Sequence, residues 1–211
     1  MEILDISRSL SPGTPVWPGD TPFSRDPVMS LEAGDSCNVS RITMSPHCGT
    51  HADAPLHFLE GTAGIDEVPL EAYLGPCLVL PIAPRGAPAE VPAPAIRALE
   101  GRGIERLLLR TRLPGQGEEE AFDEDFCCLG VEAARAAVDL GLRLIGLDTP
   151  SIDPFESKTL EAHKILLRGG VAILENLVLD GVEEGEWELL ALPLKIREGD
   201  ASPVRAVLRR A

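Results

Sequence analysis

Three of the four histidines in the chain fall within eleven residues, in the segment SPHCGTHADAPLHF. This segment constrains the fold strongly, because Gly49 and Pro55 make a continuous helix improbable there. The pattern predicts a tight turn through Gly49, followed by a short extended piece. In an extended backbone, His51 and Asp53 are two residues apart and point to the same side. The segment therefore predicts a site at which imidazole and carboxylate groups converge.

Imidazole and carboxylate groups together are the usual ligands of zinc and of neighbouring transition metals. The turn and the extended piece can bring His47, His51 and Asp53 onto one ion. His57 follows four residues later, and the spacing leaves it as either a fourth ligand or a proton-transfer group, a role suited by its ordinary pKa of about 6.5. Structural zinc sites are closed and rich in cysteine, so this composition favours an open, catalytic site.

Two further residues are ambiguous when the pattern alone is considered. His163 lies on the predicted helix Ser157–Leu167 beside leucines, where a hydrogen-bonded core histidine is the commoner outcome. Glu175 ends the apolar run Val171–Leu174, and a carboxylate buried there is costly unless it is paired or bound to metal. Exposure of Glu175 to solvent is an equally good reading of the pattern.

Short apolar runs alternate with helical patterns along the chain, and several runs suit strands that are covered on both faces. With 211 residues, the chain predicts one domain over residues 1–211, of α/β class, with a mixed β-sheet core and flanking helices. The predicted helices are Ala93–Leu99, Val131–Leu140 and Ser157–Leu167. The predicted strands are Ile3–Ile6, Val39–Met44, Leu78–Ile82, Leu107–Leu109, Leu142–Leu147, Val171–Leu174, Leu189–Leu194 and Val204–Leu208.

The composition limits the binding partners and the cellular compartment that are expected for the protein. A net charge of −15 repels phosphate backbones, so a nucleic-acid partner is not expected. No apolar run of about 18 residues is present, so no membrane span is expected, and the first residues do not have the pattern of a signal peptide. Five cysteines without CxxC spacing predict free thiols in a reducing cytoplasm. A small-molecule substrate is the expected partner.

Motifs of other enzyme classes are missing from the sequence. It contains no GxSxG elbow, no P-loop and no GxGxxG, which leaves metal chemistry as the favoured mechanism. Two stretches, Pro81–Pro94 and Pro114–Asp125, have compositions typical of a connector and an acidic loop.

The central segment resembles the HxGTHxDxPxH signature of the metal-dependent cyclase/hydrolase superfamily. The resemblance runs nearly end to end, through DISRSLSPGTPVWPGDTPF, GLDTPSIDP, LEAHKILLRGGVAILENLVLD and LALPLKIREGDASPVRAVLR. The pieces TPVWPGD, DTPSIDP and ILENL narrow the resemblance to the kynurenine formamidase (arylformamidase) branch.

This resemblance implies a site with two zinc ions, for which manganese is an alternative. His47, His51 and Asp53 would hold the first ion, and His163 would complete the second. Asp53 and Glu175 would bridge the two ions.

The resemblance also implies an activity, which is hydrolysis of N-formyl-L-kynurenine to L-kynurenine and formate in tryptophan degradation. His57 would be the acid/base residue, and Trp17 would line the substrate pocket and stack on the aryl ring. The implied fold is a swivelling β/β/α, cyclase-like arrangement, and the implied assembly is a homodimer. Two alternatives stay open at this point, namely a cyclic-amide hydrolase similar to isatin hydrolase and a non-catalytic metal-binding protein.

Overall fold

The structure is a computed structural model that describes residues 1–83, 89–112 and 121–210. Three α-helices lie in these ranges, α1 (Ala93–Arg97), α2 (Val131–Asp139) and α3 (Glu161–Arg168). The strands are β1 (Glu2–Asp5), β2 (Ser24–Met29), β3 (Val39–Thr43), β4 (His51–Asp53), β5 (Leu74–Pro81), β6 (Arg106–Arg110), β7 (Leu144–Leu147), β8 (Ala172–Glu175), β9 (Gly185–Leu190), β10 (Ala201–Pro203) and β11 (Val207–Arg210). Short 3-10 turns cover Leu31–Ala33, Pro55–His57 and Leu70–Ala72.

Within the described ranges, nine of these strands form one mixed sheet in the order β1-β11-β9-β5-β6-β7-β8-β4-β10. Strands β5 to β8 run parallel to one another, and the outer pairs are antiparallel. Such a mixed sheet with flanking helices confirms the predicted α/β class with a mixed β-sheet core.

The central strands are apolar because both of their faces are buried. On β6, Leu107 and Leu109 pack with residues of the three helices, whereas Leu108 packs into a second apolar cluster on the opposite face. Successive side chains of a strand point to opposite faces, so a continuous run of leucines fills both layers.

The second cluster also shows that the sheet is curled. It contains Ala52 from β4 and Leu208 from β11, which lie near opposite ends of the strand order. A flat sheet would hold such distant strands apart, yet Ser7, just after β1, forms an antiparallel bridge with Leu177, just after β8, so the outer strands bend toward each other. Strands β4 and β8 are adjacent and antiparallel in this sheet, so the start of β4 lies beside the end of β8.

Strands β2 and β3 form a separate two-stranded antiparallel hairpin, here called the arm (Ser24–Thr43). Every residue of β3 is exposed, and so are most of β2. The arm carries exposed apolar side chains on both strands and on the turn between them. These are Val28, Leu31, Val39 and Ile42.

Several predicted boundaries were wrong. The helix predicted to begin at Ser157 begins at Glu161, and the Ser157 hydroxyl instead accepts a hydrogen bond from the Leu160 N–H. Strand β9 ends at Leu190, four residues before the end predicted at Leu194, and Pro193 then forms an isolated antiparallel bridge with Val204. The strand predicted as Val204–Leu208 overlaps β11 only at Val207 and Leu208, and β10 ends before it at Pro203.

Parts of the two predicted loop stretches, residues 84–88 and 113–120, lie outside the described residues. All five cysteines are free, as the sequence predicted, and Cys48 beside His47 is buried in the manner of an apolar filler. Among the described helices, none combines the length and the apolar content needed to cross a bilayer.

Candidate metal centre

The turn that carries His47 depends on Gly49. Its φ of +70° lies in the left-handed region, and a Cβ there would stand 2.6 Å from the Leu10 side chain. A larger residue would therefore be strained and would clash, so glycine permits the chain to turn sharply between β3 and β4. The predicted turn through Gly49 is confirmed.

Strand β4 places His51 and Asp53 on one side and buries Ala52 on the other. Its antiparallel register with β8 sets His51 directly opposite Glu175. A glutamate 124 positions further along the chain is thereby brought beside the histidine segment. This pairing decides the question that the sequence left open, because Glu175 is buried in the site and does not leave the sheet into solvent.

Helix α3 places His163, and the carboxylate of Asp153 holds both the helix and the ring. Asp153 accepts hydrogen bonds from the backbone N–H groups of Ala162 and His163, which belong to the first turn of the helix. Its Oδ2 also lies 2.6 Å from His163 Nδ1. Because Nδ1 is engaged in this way, His163 Nε2 is directed at Glu175 Oε1, 3.0 Å away.

The two buried carboxylates each present both oxygens to imidazoles. Asp53 Oδ1 lies 3.2 Å from His47 Nδ1 and 3.5 Å from His51 Nε2, and Glu175 Oε2 lies 3.3 Å from His51 Nε2. The other oxygens face His163, with Nε2 at 3.8 Å from Asp53 Oδ2. With the contact between His163 Nε2 and Glu175 Oε1, five imidazole–carboxylate contacts hold the cluster together.

The residues fit a transition metal. His51 Nε2 and Asp53 Oδ1 are buried and have no hydrogen-bond partner, although such orphaned groups are costly. Two ligand atoms bound to one tetrahedral zinc ion are separated by about 3.4 Å, given bonds of about 2.0–2.1 Å. The observed separations of 3.2, 3.3 and 3.5 Å agree with that value. Histidine nitrogen with carboxylate oxygen is a suitable donor set for zinc and also for manganese.

The pKa values of the clustered side chains show that the cluster favours positive charge. Burial opposes the charged form of His51, but the facing Asp53 and Glu175 prevail and raise its pKa to about 10. The pKa of His163 is raised to about 9, again against burial, by Asp153 and Glu175. The pKa of Asp53 lies well below its usual value despite burial, because His47 and His51 face it.

His57 differs from the other three histidines. It is exposed, its ring centroid lies 4.1 Å from that of His47, and its pKa is lowered, chiefly by burial of part of the ring. At neutral pH the ring is therefore uncharged and able to accept a proton. It lines the cavity above the buried cluster.

That cavity has a volume of about 550 Å³, and all five residues of the cluster line it. Trp17 forms part of its wall, with ring centroids of Phe122 and Phe155 at 5.3 and 5.0 Å. These three rings come from three loops that are distant in sequence, and they give the cavity an aromatic wall near its mouth.

The structure brings together all the residues that the sequence and its resemblance singled out. His47, His51, Asp53, His163 and Glu175 form the cluster, His57 lies beside it, and Trp17 lines the same cavity. Two neighbouring acids were missed, namely Asp153 and Asp200, whose Oδ2 lies 3.0 Å from His47 Nε2. Both lie within stretches that carry the resemblance, Asp153 in DTPSIDP and Asp200 in LALPLKIREGDASPVRAVLR, so those stretches held a usable signal.

The curled α/β sheet and the buried histidine–carboxylate cluster together place this chain among α/β proteins with a candidate metal centre. The family model described as putative cyclase matches residues 4–154, and the chain belongs to this family.

Solved structures are similar over the full chain. One, described as a potential metal-dependent hydrolase with cyclase activity, is 30% identical with a TM-score of 0.80, covering 100% of this chain and 99% of the other. A predicted metal-dependent hydrolase from Bacillus stearothermophilus is also 30% identical with a TM-score of 0.80, covering 98% and 97%. Isatin hydrolase A from Labrenzia aggregata, at 24% identity, a TM-score of 0.77 and coverage of 98% and 93%, shares the fold.

Zinc added to the metal-free protein at pH 7 is expected to release protons. His51 and His163 have pKa values raised to about 10 and about 9, so both rings carry a proton that a metal must displace. The apparent affinity should therefore rise with pH until these values are passed. Calorimetric titration in two buffers of different ionisation enthalpy measures the release, and identical apparent enthalpies in both buffers would contradict it.

Proposed function

We propose that the chain is a metal-dependent amide hydrolase that converts N-formyl-L-kynurenine and water into L-kynurenine and formate, a step of tryptophan degradation. One observation carries the proposal: a single cavity joins the histidine–carboxylate cluster to aromatic rings and to charged side chains of both signs. The five free thiols suit a cytoplasmic location, which cell fractionation would test.

The aromatic wall suits the aryl ketone of the proposed substrate. Trp17 is 36% exposed, so part of its ring is free to pack against a ligand while its edge is held by Phe122 and Phe155. Offset stacking between such rings adds about 0.5–1.5 kcal/mol beyond the area that is buried. A volume of about 550 Å³ also lies in the range of small-molecule sites.

The charged lining suits the amino-acid tail of that substrate. A zwitterionic tail needs cations for its carboxylate and anions for its ammonium group, whereas isatin has neither group. The cavity supplies both signs near the aromatic wall. Its charged lining outside the cluster comprises Arg8, Asp20, Arg112, Asp123, Glu156 and Lys158.

In this proposal two divalent ions, zinc or manganese, are held by the cluster. His47, His51 and Asp53 would hold the first ion and His163 the second, with Asp53 and Glu175 shared between them. The way in which Asp53 and Glu175 present one oxygen to each side supports the shared role. When bound, such ions supply Lewis acidity, which makes water a nucleophile at neutral pH and polarises a carbonyl group.

The remaining chemistry is proton transfer, for which His57 is placed. Hydrolysis adds water oxygen to the formyl carbon and breaks the carbon–nitrogen bond, so the aniline nitrogen must gain a proton as it leaves. His57 lines the cavity, is uncharged at neutral pH and can accept a proton from water before delivering it to that nitrogen. It lies beyond a ligand set that is complete without it, which argues against a non-catalytic metal-binding protein.

A second candidate is hydrolysis of a cyclic amide. The fold shared with isatin hydrolase A favours it, since such a fold accommodates that reaction in another protein. The two candidate substrates differ in the amino-acid tail, which isatin lacks, so direct comparison of turnover on the two substrates separates the candidates.

The zinc-loaded protein is expected to release formate from N-formylkynurenine and to open isatin much more slowly. His57→Ala should keep its metal and lose about 10²- to 10⁴-fold in kcat, which is the usual contribution of a positioned acid/base group. Formate is measured by a coupled assay, with ring opening followed by absorbance. Faster turnover of isatin would favour the cyclic-amide alternative, and full activity of His57→Ala would remove the acid/base role.

Glu175→Gln is expected to lower the occupancy of both ions. The substitution removes the charge from a carboxylate that faces His51 with one oxygen and His163 with the other. Elemental analysis after dialysis measures the metal content. The matched control is Glu188→Gln, which changes a half-buried glutamate of β9 that is paired with Arg209 of β11, outside the cluster. Two fully occupied sites in Glu175→Gln would show that the carboxylate is not shared.

We also propose that the protein is a homodimer in which the arm contacts a second copy. A two-stranded hairpin is marginally stable by itself in water. The arm nevertheless exposes 63% of Val28 and 59% of Ile42. Exposed apolar patches of this kind commonly mark contacts with other proteins.

The purified protein should therefore sediment as two copies, and Ile42→Asp should shift it toward single copies. Leu70→Asp is the control, because Leu70 is 54% exposed and belongs to the 3-10 turn Leu70–Ala72, which is not part of the arm. Analytical ultracentrifugation gives the masses. A parent protein with the mass of one chain at micromolar concentration would contradict the proposal.

A further inference from the structure

Asp200 lies between two imidazoles that the proposed mechanism uses in different ways. Its Oδ2 is 3.0 Å from His47 Nε2 and 3.8 Å from His57 Nδ1. The two rings lie side by side, with centroids 4.1 Å apart and planes inclined by 34°. One carboxylate oxygen therefore faces both rings from the same side.

The backbone of Asp200 is fixed in this position. Its carbonyl accepts a hydrogen bond from the Ala54 N–H at 2.9 Å, and the preceding Gly199 carbonyl accepts one from the Ile65 N–H at 2.8 Å. The next residue, Ala201, is paired with Asp53 in the ladder between β10 and β4. The sheet thus fixes Asp200 relative to the cluster, while its side chain, 49% exposed, takes no part in the core.

For His47, this contact determines which nitrogen is available to a metal. An imidazole that binds an ion through one nitrogen carries a proton on the other and donates it to an outer acceptor. Nε2 faces Asp200, and Nδ1 faces Asp53 Oδ1 at 3.2 Å inside the cluster. The arrangement leaves Nδ1 as the ligand atom and Nε2–H as the donor to Asp200.

For His57, the same oxygen faces Nδ1. A distance of 3.8 Å is longer than a hydrogen bond, but catalytic contacts are commonly long in ligand-free sites and tighten when substrate binds. A proton held on Nδ1 by Asp200 leaves the lone pair of His57 on Nε2. That nitrogen then exchanges protons with water and with the leaving group.

We propose that Asp200 is a positioning residue that serves both rings: it keeps the proton of His47 on Nε2 and the proton of His57 on Nδ1. A single carboxylate thereby orients one ring for metal binding and the other ring for proton transfer. The part that concerns His57 rests on the proposed amide hydrolysis, whereas the part that concerns His47 needs only the metal.

The test uses two variants of the zinc-loaded protein with a matched control. Asp200→Asn keeps the shape and removes the charge, and Asp200→Ala removes the acceptor. Glu198→Gln removes a negative charge two residues away in the same loop. Glu198 is exposed, and its backbone N–H donates a hydrogen bond to Asp66 Oδ1.

The first measurement is independent of activity. Nitrogen-15 chemical shifts of the histidines report which ring nitrogen carries the proton. The parent and Glu198→Gln should show His57 protonated on Nδ1. Both Asp200 variants should shift this ring toward protonation on Nε2, which an imidazole in water prefers. A parent protein with His57 protonated on Nε2 overturns the proposal.

The second measurement separates positioning from folding. For Asp200→Ala, zinc affinity should fall about 10- to 100-fold, as for other outer partners of metal-bound histidines. At saturating zinc, kcat should still be lower by about 10- to 100-fold, with KM nearly unchanged and a partial recovery in Asp200→Asn. Recovery of the full kcat at saturating zinc overturns the assignment to His57.

Failure of the two proposals can be distinguished. If the zinc-loaded parent releases no formate from N-formylkynurenine, the proposed function fails, and the nitrogen-15 shifts and zinc affinity still decide the role of Asp200. If the parent is active and Asp200→Ala matches it in tautomer, zinc affinity and kcat, the role of Asp200 is refuted and the function stands.

Discussion

Two carboxylates buried side by side govern the organisation of this protein. Asp53 and Glu175 are 2% and 4% exposed, and each one disfavours ionisation of the other. Removing even one such charge from water costs several kcal/mol. In the described part of the chain, the positive groups that face them are imidazoles, which hold protons in the absence of metal and can exchange these for an ion. The site is therefore built to hold positive charge, and the surrounding structure keeps the acids in place.

The sheet is what makes this arrangement possible. Because β4 is antiparallel to β8, a histidine segment near residue 50 meets a glutamate at the end of a buried strand. Ala52 and Leu174 fill the apolar layer behind the polar side chains, so packing fixes the register. A slip of one residue would turn His51 and Asp53 into the core and expose Ala52. Burial of the apolar side chains thus stabilises the geometry of the polar ones.

The sequence predicted the local half of this site and was ambiguous about the distant half. The turn at Gly49 and the same-sided His51 and Asp53 follow from backbone geometry over a few residues. His163 and Glu175 depend on long-range pairing, which periodicity does not specify, so only the resemblance to a known family placed them in the site. The start of α3 was mispredicted because its cap is Asp153, outside the window in which a capping residue is sought.

The same reasoning explains why the metal cluster alone does not identify a substrate. The cluster is mounted on β4, β8 and α3, elements that the fold shares with isatin hydrolase A and with other metal-dependent hydrolases. The rings of Trp17, Phe122 and Phe155 instead come from loops outside the sheet, where changes cost little stability. Loops can therefore change the lining of the cavity while the strands and α3 keep the imidazoles and carboxylates in position. Differences in substrate among members of this family should lie in these loops, and the imidazoles and carboxylates should stay the same.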